Sequence, residues 1–259
     1  MRYLAITRGV SASINDCELT HLTRTPIDVS RARTQHRAYE SCLVALGCEV
    51  RQIPADDLYP DAVFIEDTAI VLDELAVLAR PGAASRRGEV EAVANVLGDY
   101  RPIVRIEERP REATLDGGDV LLLDRFLYVG RTLRTNEHGI DRLRELVRPH
   151  GYRVIAVDVD GCLHLKSAVT RVAADALLMN RAWVPAALFD GWRIIDVDES
   201  EPAAANALLV GNRVVFPEEF ERTWLKLEAE GIDVLPVPAS ELALAEGGVT
   251  CCSLIVRTP

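Results

Sequence analysis

The feature that most constrains what this chain can fold into is a repeat. Four segments read glycine, any residue, a charged residue and then the β-branched start of an apolar run: Gly47-Cys-Glu-Val50, Gly151-Tyr-Arg-Val154, Gly191-Trp-Arg-Ile194 and Gly231-Ile-Asp-Val234. The glycines are spaced by 104, 40 and 40 residues. The first gap holds a looser copy, from Gly98 through Arg101 to Val104, which makes five units.

Each glycine follows a stretch whose apolar residues recur at intervals of three and four, so each reads as a helix stop. The expected helical stretches are Arg31 to Leu46, Arg87 to Leu97, Asn136 to Leu146, Val184 to Phe189 and Pro217 to Ala229. A short strand is expected after each: Val50 to Ile53, Val104 to Ile106, Val154 to Val157, Ile194 to Val197 and Val234 to Val237. Upstream of the helices lie paired strand-like runs, such as Thr68 to Val71 with Ala76 to Leu78, and Val120 to Leu123 with Phe126 to Val129. A unit of strand, strand, helix and strand, repeated around an axis, closes without long free edges. The expectation is α/β: one domain over residues 1–259, a five-unit pseudo-symmetric propeller with a central site.

A polar cluster follows each late strand by ten to seventeen residues: Glu66-Asp67, Asp116, His164, Asn206 and Cys251. Five equivalent positions around one axis converge at the centre. Core packing offers no reason to gather carboxylates, an amide, an imidazole and a thiol from such distant segments.

Composition narrows the ligand. A formal net charge of −11 over 259 residues opposes nucleic acid, whose binding rests on neutralising phosphates, and suits a small cation. No apolar run nears the roughly 20 residues needed to span a bilayer, and Met1 to Arg8 alternates like a strand instead of resembling a leader. A cytoplasmic protein is expected, with no membrane partner. Its six cysteines, Cys17, Cys42, Cys48, Cys162, Cys251 and Cys252, are expected to be reduced. A monomer and a homodimer are both open.

Cys251 ends Glu246-Gly-Gly-Val-Thr-Cys-Cys252, where a double glycine lets backbone approach a ligand. A buried inert cysteine is the plain alternative. A nucleophilic thiol needs an adjacent base or a stabilising positive charge, which His164 or a bound cation would supply. Period-two alternation in Cys162-Leu-His-Leu-Lys166 puts Cys162, His164 and Lys166 on one face of an extended segment. The remaining histidines, His21, His36, His138 and His150, read as solvated loop or helix residues. Asp116 in Asp116-Gly-Gly-Asp119 is either a turn cap or the carboxylate that orients His164. Asp61, Glu66 and Asp67 flank Val63-Phe64-Ile65, so at least one carboxylate should enter apolar surroundings and need a cation. A guanidinium pairs with carboxylates in planar, bidentate fashion. Arg86 and Arg134, at the edges of two units, are candidates to clamp a substrate carboxylate, or else ordinary surface residues.

Six stretches in order resemble the dimethylarginine dimethylaminohydrolases over nearly the whole chain: Asp61-Ala-Val-Phe-Ile-Glu-Asp67, Arg80-Pro-Gly-Ala-Ala-Ser-Arg-Arg87, Ala113-Thr-Leu-Asp-Gly-Gly-Asp-Val120, Arg134-Thr-Asn136, Leu163-His-Leu-Lys-Ser167 and Val249-Thr-Cys-Cys-Ser253. The resemblance implies the five-unit pentein-like propeller of guanidine-modifying enzymes, and hydrolysis of methylated arginine to citrulline and a methylamine without a cofactor. It implies Cys251 as nucleophile, His164 as proton donor and Asp116 as the carboxylate that orients it. It places Asp61, Glu66 and Asp67 on the guanidinium, Arg86 and Arg134 on the α-carboxylate, and backbone contacts at Leu19 and Ala245. Asp116 stands where some bacterial members carry glutamate.

Three other readings remain in view. An arginine deiminase or amidinotransferase on the same scaffold is the nearest rival; arginine deiminases typically follow the histidine with an acid two residues on, where this chain has Lys166. A silent binding protein would have no need to retain Cys251, His164 and Asp116 together. A zinc site from Cys162, His164, Cys251 and Cys252 fits poorly, since adjacent cysteines depart from structural zinc spacing, and no metal is expected.

Overall fold

A computed structural model describes residues 2–106 and 112–258. Its fifteen strands, in chain order, are β1 Arg2–Arg8, β2 Cys48–Ile53, β3 Ala69–Val71, β4 Ala76–Leu78, β5 Ile103–Arg105, β6 Val120–Leu123, β7 Phe126–Arg131, β8 Arg153–Asp158, β9 Val169–Arg171, β10 Ala176–Met179, β11 Arg193–Asp196, β12 Leu208–Val210, β13 Arg213–Pro217, β14 Asp233–Val237 and β15 Leu254–Thr258. They form five three-stranded sheets, ordered β15-β1-β2, β3-β4-β5, β6-β7-β8, β9-β10-β11 and β12-β13-β14. In every sheet the central strand runs antiparallel to its first neighbour and parallel to its second. The parallel pairing requires a crossover, and the helical stretch of each unit supplies it. One unit is split: β15 joins β1, with Arg2 opposite Thr258 and Ile6 opposite Leu254.

The packing explains why the central strands read as continuous apolar runs. Side chains of a strand alternate between two faces, and here both faces are buried. In β4, Ala76 and Leu78 pack with Leu4, Ile6 and Leu254 of the split unit, while Val77 packs with Val120 and Val129 of the next. In β10, Leu177 and Met179 pack against Leu121 and Tyr128, while Leu178 packs with Val214 and Phe216. Val215 of β13 meets Ala5 of β1, which completes the circuit. Five apolar cores therefore lie between consecutive units, and the ring closes through them.

The crossover helices are Val29–Ala45, Val90–Leu97, Glu137–Val147 and Glu221–Ala229, with a 3-10 turn at Ala186–Phe189 in the corresponding place of the fourth unit. The expected helix from Pro217 starts late because Pro217 ends β13 and pairs with Val237. The four strict copies of the repeat all hold their glycine at positive φ: +85° at Gly47, +80° at Gly151, +89° at Gly191 and +79° at Gly231. Gly98, in the loose copy, is right-handed at φ −59°. His36 departs from expectation. It lies on the inner face of its helix, 2% exposed, and burial lowers its pKa despite Glu40 at 3.7 Å.

An added Cβ at Gly151 meets no atom within 4 Å, so glycine is required there by conformation alone. Gly151→Ala should cost about 1 kcal/mol in chemical denaturation, and Gly98→Ala clearly less.

Candidate active site

The five polar clusters occupy equivalent places, each just ahead of the first strand of its unit. Short helical turns hold two of them, Glu66-Asp67 in Ile65–Thr68 before β3 and Cys251 in Thr250–Cys252 before β15, while Asp116 and His164 each immediately precede such a turn, Gly117–Asp119 before β6 and Leu165–Ala168 before β9. Asn206 stands two residues before β12. The segment around His164 is not extended through Lys166, because a helical turn begins at Leu165.

One cleft is lined by Cys251, His164, Asp61, Asp67, Arg86, Arg134 and Ala245. Sulfur and imidazole thus share a cavity. Asp116 lies behind the ring, fully buried, with Oδ2 3.1 Å from His164 Nε2. Its other oxygen accepts the Gly82 N–H at 2.8 Å, and its own N–H donates to Thr135 Oγ1, so the carboxylate is held from three sides. His164 Nδ1 stands 3.8 Å from Asp67 Oδ1. The double glycine ahead of β6 is a matter of space: a Cβ on Gly118 would stand 2.6 Å from Asp67 Oδ1 and 2.7 Å from His164 Nδ1, and one on Gly117 2.0 Å from the Glu66 carbonyl.

Charge in the cleft is set by burial and by acids. Burial opposes a charged imidazole, but Asp67, Asp119 and Asp116 outweigh it and raise the His164 pKa to about 9. Asp67, despite its own burial, is held down to about 2 by His164 and Arg86. The Cys251 thiol is pushed up to about 12, first by burial and then by Glu66 and Asp67, although the Gly248 N–H points at the sulfur from 3.3 Å. The cleft therefore holds a protonated thiol and an imidazolium. Cys252 lines a separate small cavity with His36 and Tyr39.

No family model matches the chain. A dimethylarginine dimethylaminohydrolase of Streptomyces coelicolor is 38% identical over 256 residues, 98% of this chain and 96% of that protein. The enzyme of the same name from Pseudomonas aeruginosa is 32% identical over 227 residues, 88% of this chain and 89% of that one. The chain belongs to the dimethylarginine dimethylaminohydrolase family. A solved structure of the Pseudomonas aeruginosa family member, a cysteine-to-serine mutant complexed with citrulline, superposes with a TM-score of 0.92 at 31% identity, covering 99% of this chain and 100% of that one.

Within that family frame, two candidate residues, Glu66 and Arg86, are engaged by other protein groups. Glu66 does not line the cleft: its carboxylate meets Lys166 Nζ at 2.5 Å and Thr250 Oγ1 at 2.7 Å, and it borders a cavity of about 510 Å³ on another side. Arg86 is on the cleft wall but buried in a network, donating to Asp67 at 2.6 Å, to both oxygens of Glu89 and to the carbonyls of Asp61 and Phe64. Leu19 lies beside the cleft, half-buried in the loop that follows Asn15. That loop is fastened by two candidates: Asp61 accepts the Glu18 N–H with both oxygens at 3.2 Å, and Arg134 Nη2 donates to Thr20 Oγ1 at 3.1 Å.

Two contributors escaped notice in the sequence. Glu89, 1% exposed, neutralises Arg86 from the next helical turn; only its spacing of three residues hinted at it. Asn206 clasps Thr250 from both sides, accepting its N–H and donating to its hydroxyl, each at 2.9 Å. The repeat put Asn206 in the ring but assigned it no role. Among the described residues, the group placed to hold a metal is Asp67, Asp116 and His164, which is already an ion pair and contains none of the cysteines weighed for zinc.

A folded-state pKa raised above the ordinary value of about 6.5 makes the His164 imidazolium stabilising below that pH, and this contribution is lost as pH rises through about 9. Denaturation midpoints measured from pH 6.5 to 10 should fall across this window in the parent protein, and His164→Gln should remove that part of the slope.

Proposed function

We propose that this chain hydrolyses Nω-methylated arginines, asymmetric dimethylarginine and monomethylarginine, to citrulline and a methylamine, with residues 1–259 acting as one catalytic unit. The observation that carries the reading is the shared cleft: a thiol and an imidazolium line it together with the buried carboxylates of Asp61 and Asp67.

In the mechanism, the guanidinium enters beside Asp61 and Asp67, which keep it cationic and its carbon electrophilic. Its charge offsets the acids that raise the thiol pKa, so the Cys251 proton passes to solvent as substrate binds. The thiolate forms a sulfur–carbon bond to the guanidinium carbon. His164, oriented through Nε2 by Asp116, delivers the Nδ1 proton to the departing methylamine as its carbon–nitrogen bond breaks, leaving a thiouronium on Cys251. The now neutral imidazole takes a proton from water, whose oxygen attacks the same carbon. Collapse breaks the sulfur–carbon bond and expels the Cys251 thiolate; the hydroxyl proton of the adduct returns to that sulfur, leaving the neutral ureido product and the resting thiol. Such acid–base work supplies a factor of about 10² to 10⁴, roughly 3–5 kcal/mol. No redox step or cofactor enters this sequence.

Arg134, and Arg86 in competition with its bonds to Asp67 and Glu89, are the cations for the substrate carboxylate. The acid charge of Glu66 reaches the sulfur without lining the cleft. Lys166 stands two residues after His164 and pairs with Glu66, which supports a methylated nitrogen over one bound by a further carboxylate.

Cys251→Ser should abolish citrulline formation while preserving the fold, and Cys252→Ser should keep most of it. Equal loss in two folded variants would remove the assignment. Supplying asymmetric dimethylarginine, monomethylarginine and arginine separately and assaying citrulline tests the substrate class: preferential turnover of arginine would favour a deiminase.

A cationic amidine alkylator should label Cys251 at pH 7 much faster than neutral iodoacetamide does, because only the former carries the charge that stabilises the thiolate. Equal rates would contradict the electrostatic account.

A further inference from the structure

Among the described residues, Glu246 is one of two non-glycine residues at positive φ, at +59°. An ordinary side chain there is strained, and such strain persists where the surroundings demand it. The demand is visible: the Glu246 carboxylate accepts three consecutive backbone N–H groups from far away in the chain, those of Thr20, His21 and Leu22, at 2.5 to 3.1 Å. Charge-assisted bonds of this kind are among the strong ones. Glu246 borders the same cleft as Cys251 and His164, as do Glu18 and Ala245. The clasp therefore ties the loop carrying Leu19 to the segment carrying Ala245, immediately ahead of the nucleophile turn.

We infer that Glu246 is a positioning residue whose carboxylate, by clasping the Glu18–Leu22 loop over the cleft mouth, sets the gap in which the amino-acid end of the substrate is held. This rests on the methylarginine reading for its substrate and on geometry alone for the clasp. Asp61 and Arg134 also touch the loop, yet both stand inside the cleft where a guanidinium and a carboxylate would recruit them. Glu246 commits its carboxylate to three backbone N–H groups of the loop, whereas Ser85, the contact from outside the cleft, reaches only the Glu18 side chain.

The test uses Glu246→Gly, which removes the carboxylate and suits the left-handed backbone, alongside Glu246→Gln, which keeps size and loses charge. Hydrogen exchange in the unliganded protein should show the amides of residues 20–22 exchanging roughly tenfold faster or more in Glu246→Gly, with the five sheets as protected as in the parent. With a methylated arginine, KM should rise about tenfold while kcat stays within about twofold, the signature of lost binding without lost chemistry. Alkylation of Cys251 by a small amidine, which has no amino-acid end, should change by less than about twofold. Unchanged exchange at residues 20–22 would overturn the clasp, and faster exchange without a change in KM would overturn its role in holding substrate. If the parent protein turns over no methylated arginine, the substrate reading fails while the exchange result still decides the clasp.

Discussion

The structure depends on central strands that are apolar on both faces. A strand such as β4 or β10 cannot be satisfied by one neighbour, so each sheet must be sandwiched between two others. Five such sheets satisfy one another only by closing a circle, and the apolar material is then consumed between units. What remains for the axis is the short turn ahead of each first strand, where a polar side chain is tolerated because its partners come from the opposite turns.

Those partners are mostly acids, and the excess has chemical effects. Asp67 and Asp116, backed by Asp119, keep the imidazole of His164 protonated against its burial. Burial first, and then the charges of Glu66 and Asp67, keep Cys251 protonated too. A site in this state has its acid ready and its nucleophile masked. Asp119 shows what full burial costs a carboxylate: its pKa is raised to about 6 even though it accepts the Leu165 N–H and the Thr132 hydroxyl. Those two bonds hold the His164 turn against β6 and β7, so the strain on Asp119 is bound up with where the imidazole points.

Much of this was legible in the sequence because the repeat is written in conformation as well as in hydropathy. Gly47, Gly151, Gly191 and Gly231 are visible as a pattern because each must be left-handed, and Gly98 was the weakest copy because its backbone is right-handed. The convergence of Cys251, His164 and Asp116 followed from symmetry without any knowledge of distances. What symmetry could not reveal was which way each side chain is satisfied. Glu66 and Arg86 carry the right charges at the right positions, yet Lys166 and Glu89 claim them, and such pairings depend on rotamers that spacing does not encode. His36 was misread for a similar reason: a polar residue on a helix is solvated by default, and only the tertiary packing of Val29–Ala45 places it inward.

The seam of the ring has a consequence for how the molecule comes into being. Pairing Arg2–Arg8 with Leu254–Thr258 joins segments of very large sequence separation, so the seam carries a loop-closure entropy that the pairings within the other units do not. The turn bearing Cys251 leads directly into that seam strand. Closing the ring and fixing the sulfur therefore depend on one strand, and a chain with its seam unpaired has lost the anchor of its nucleophile.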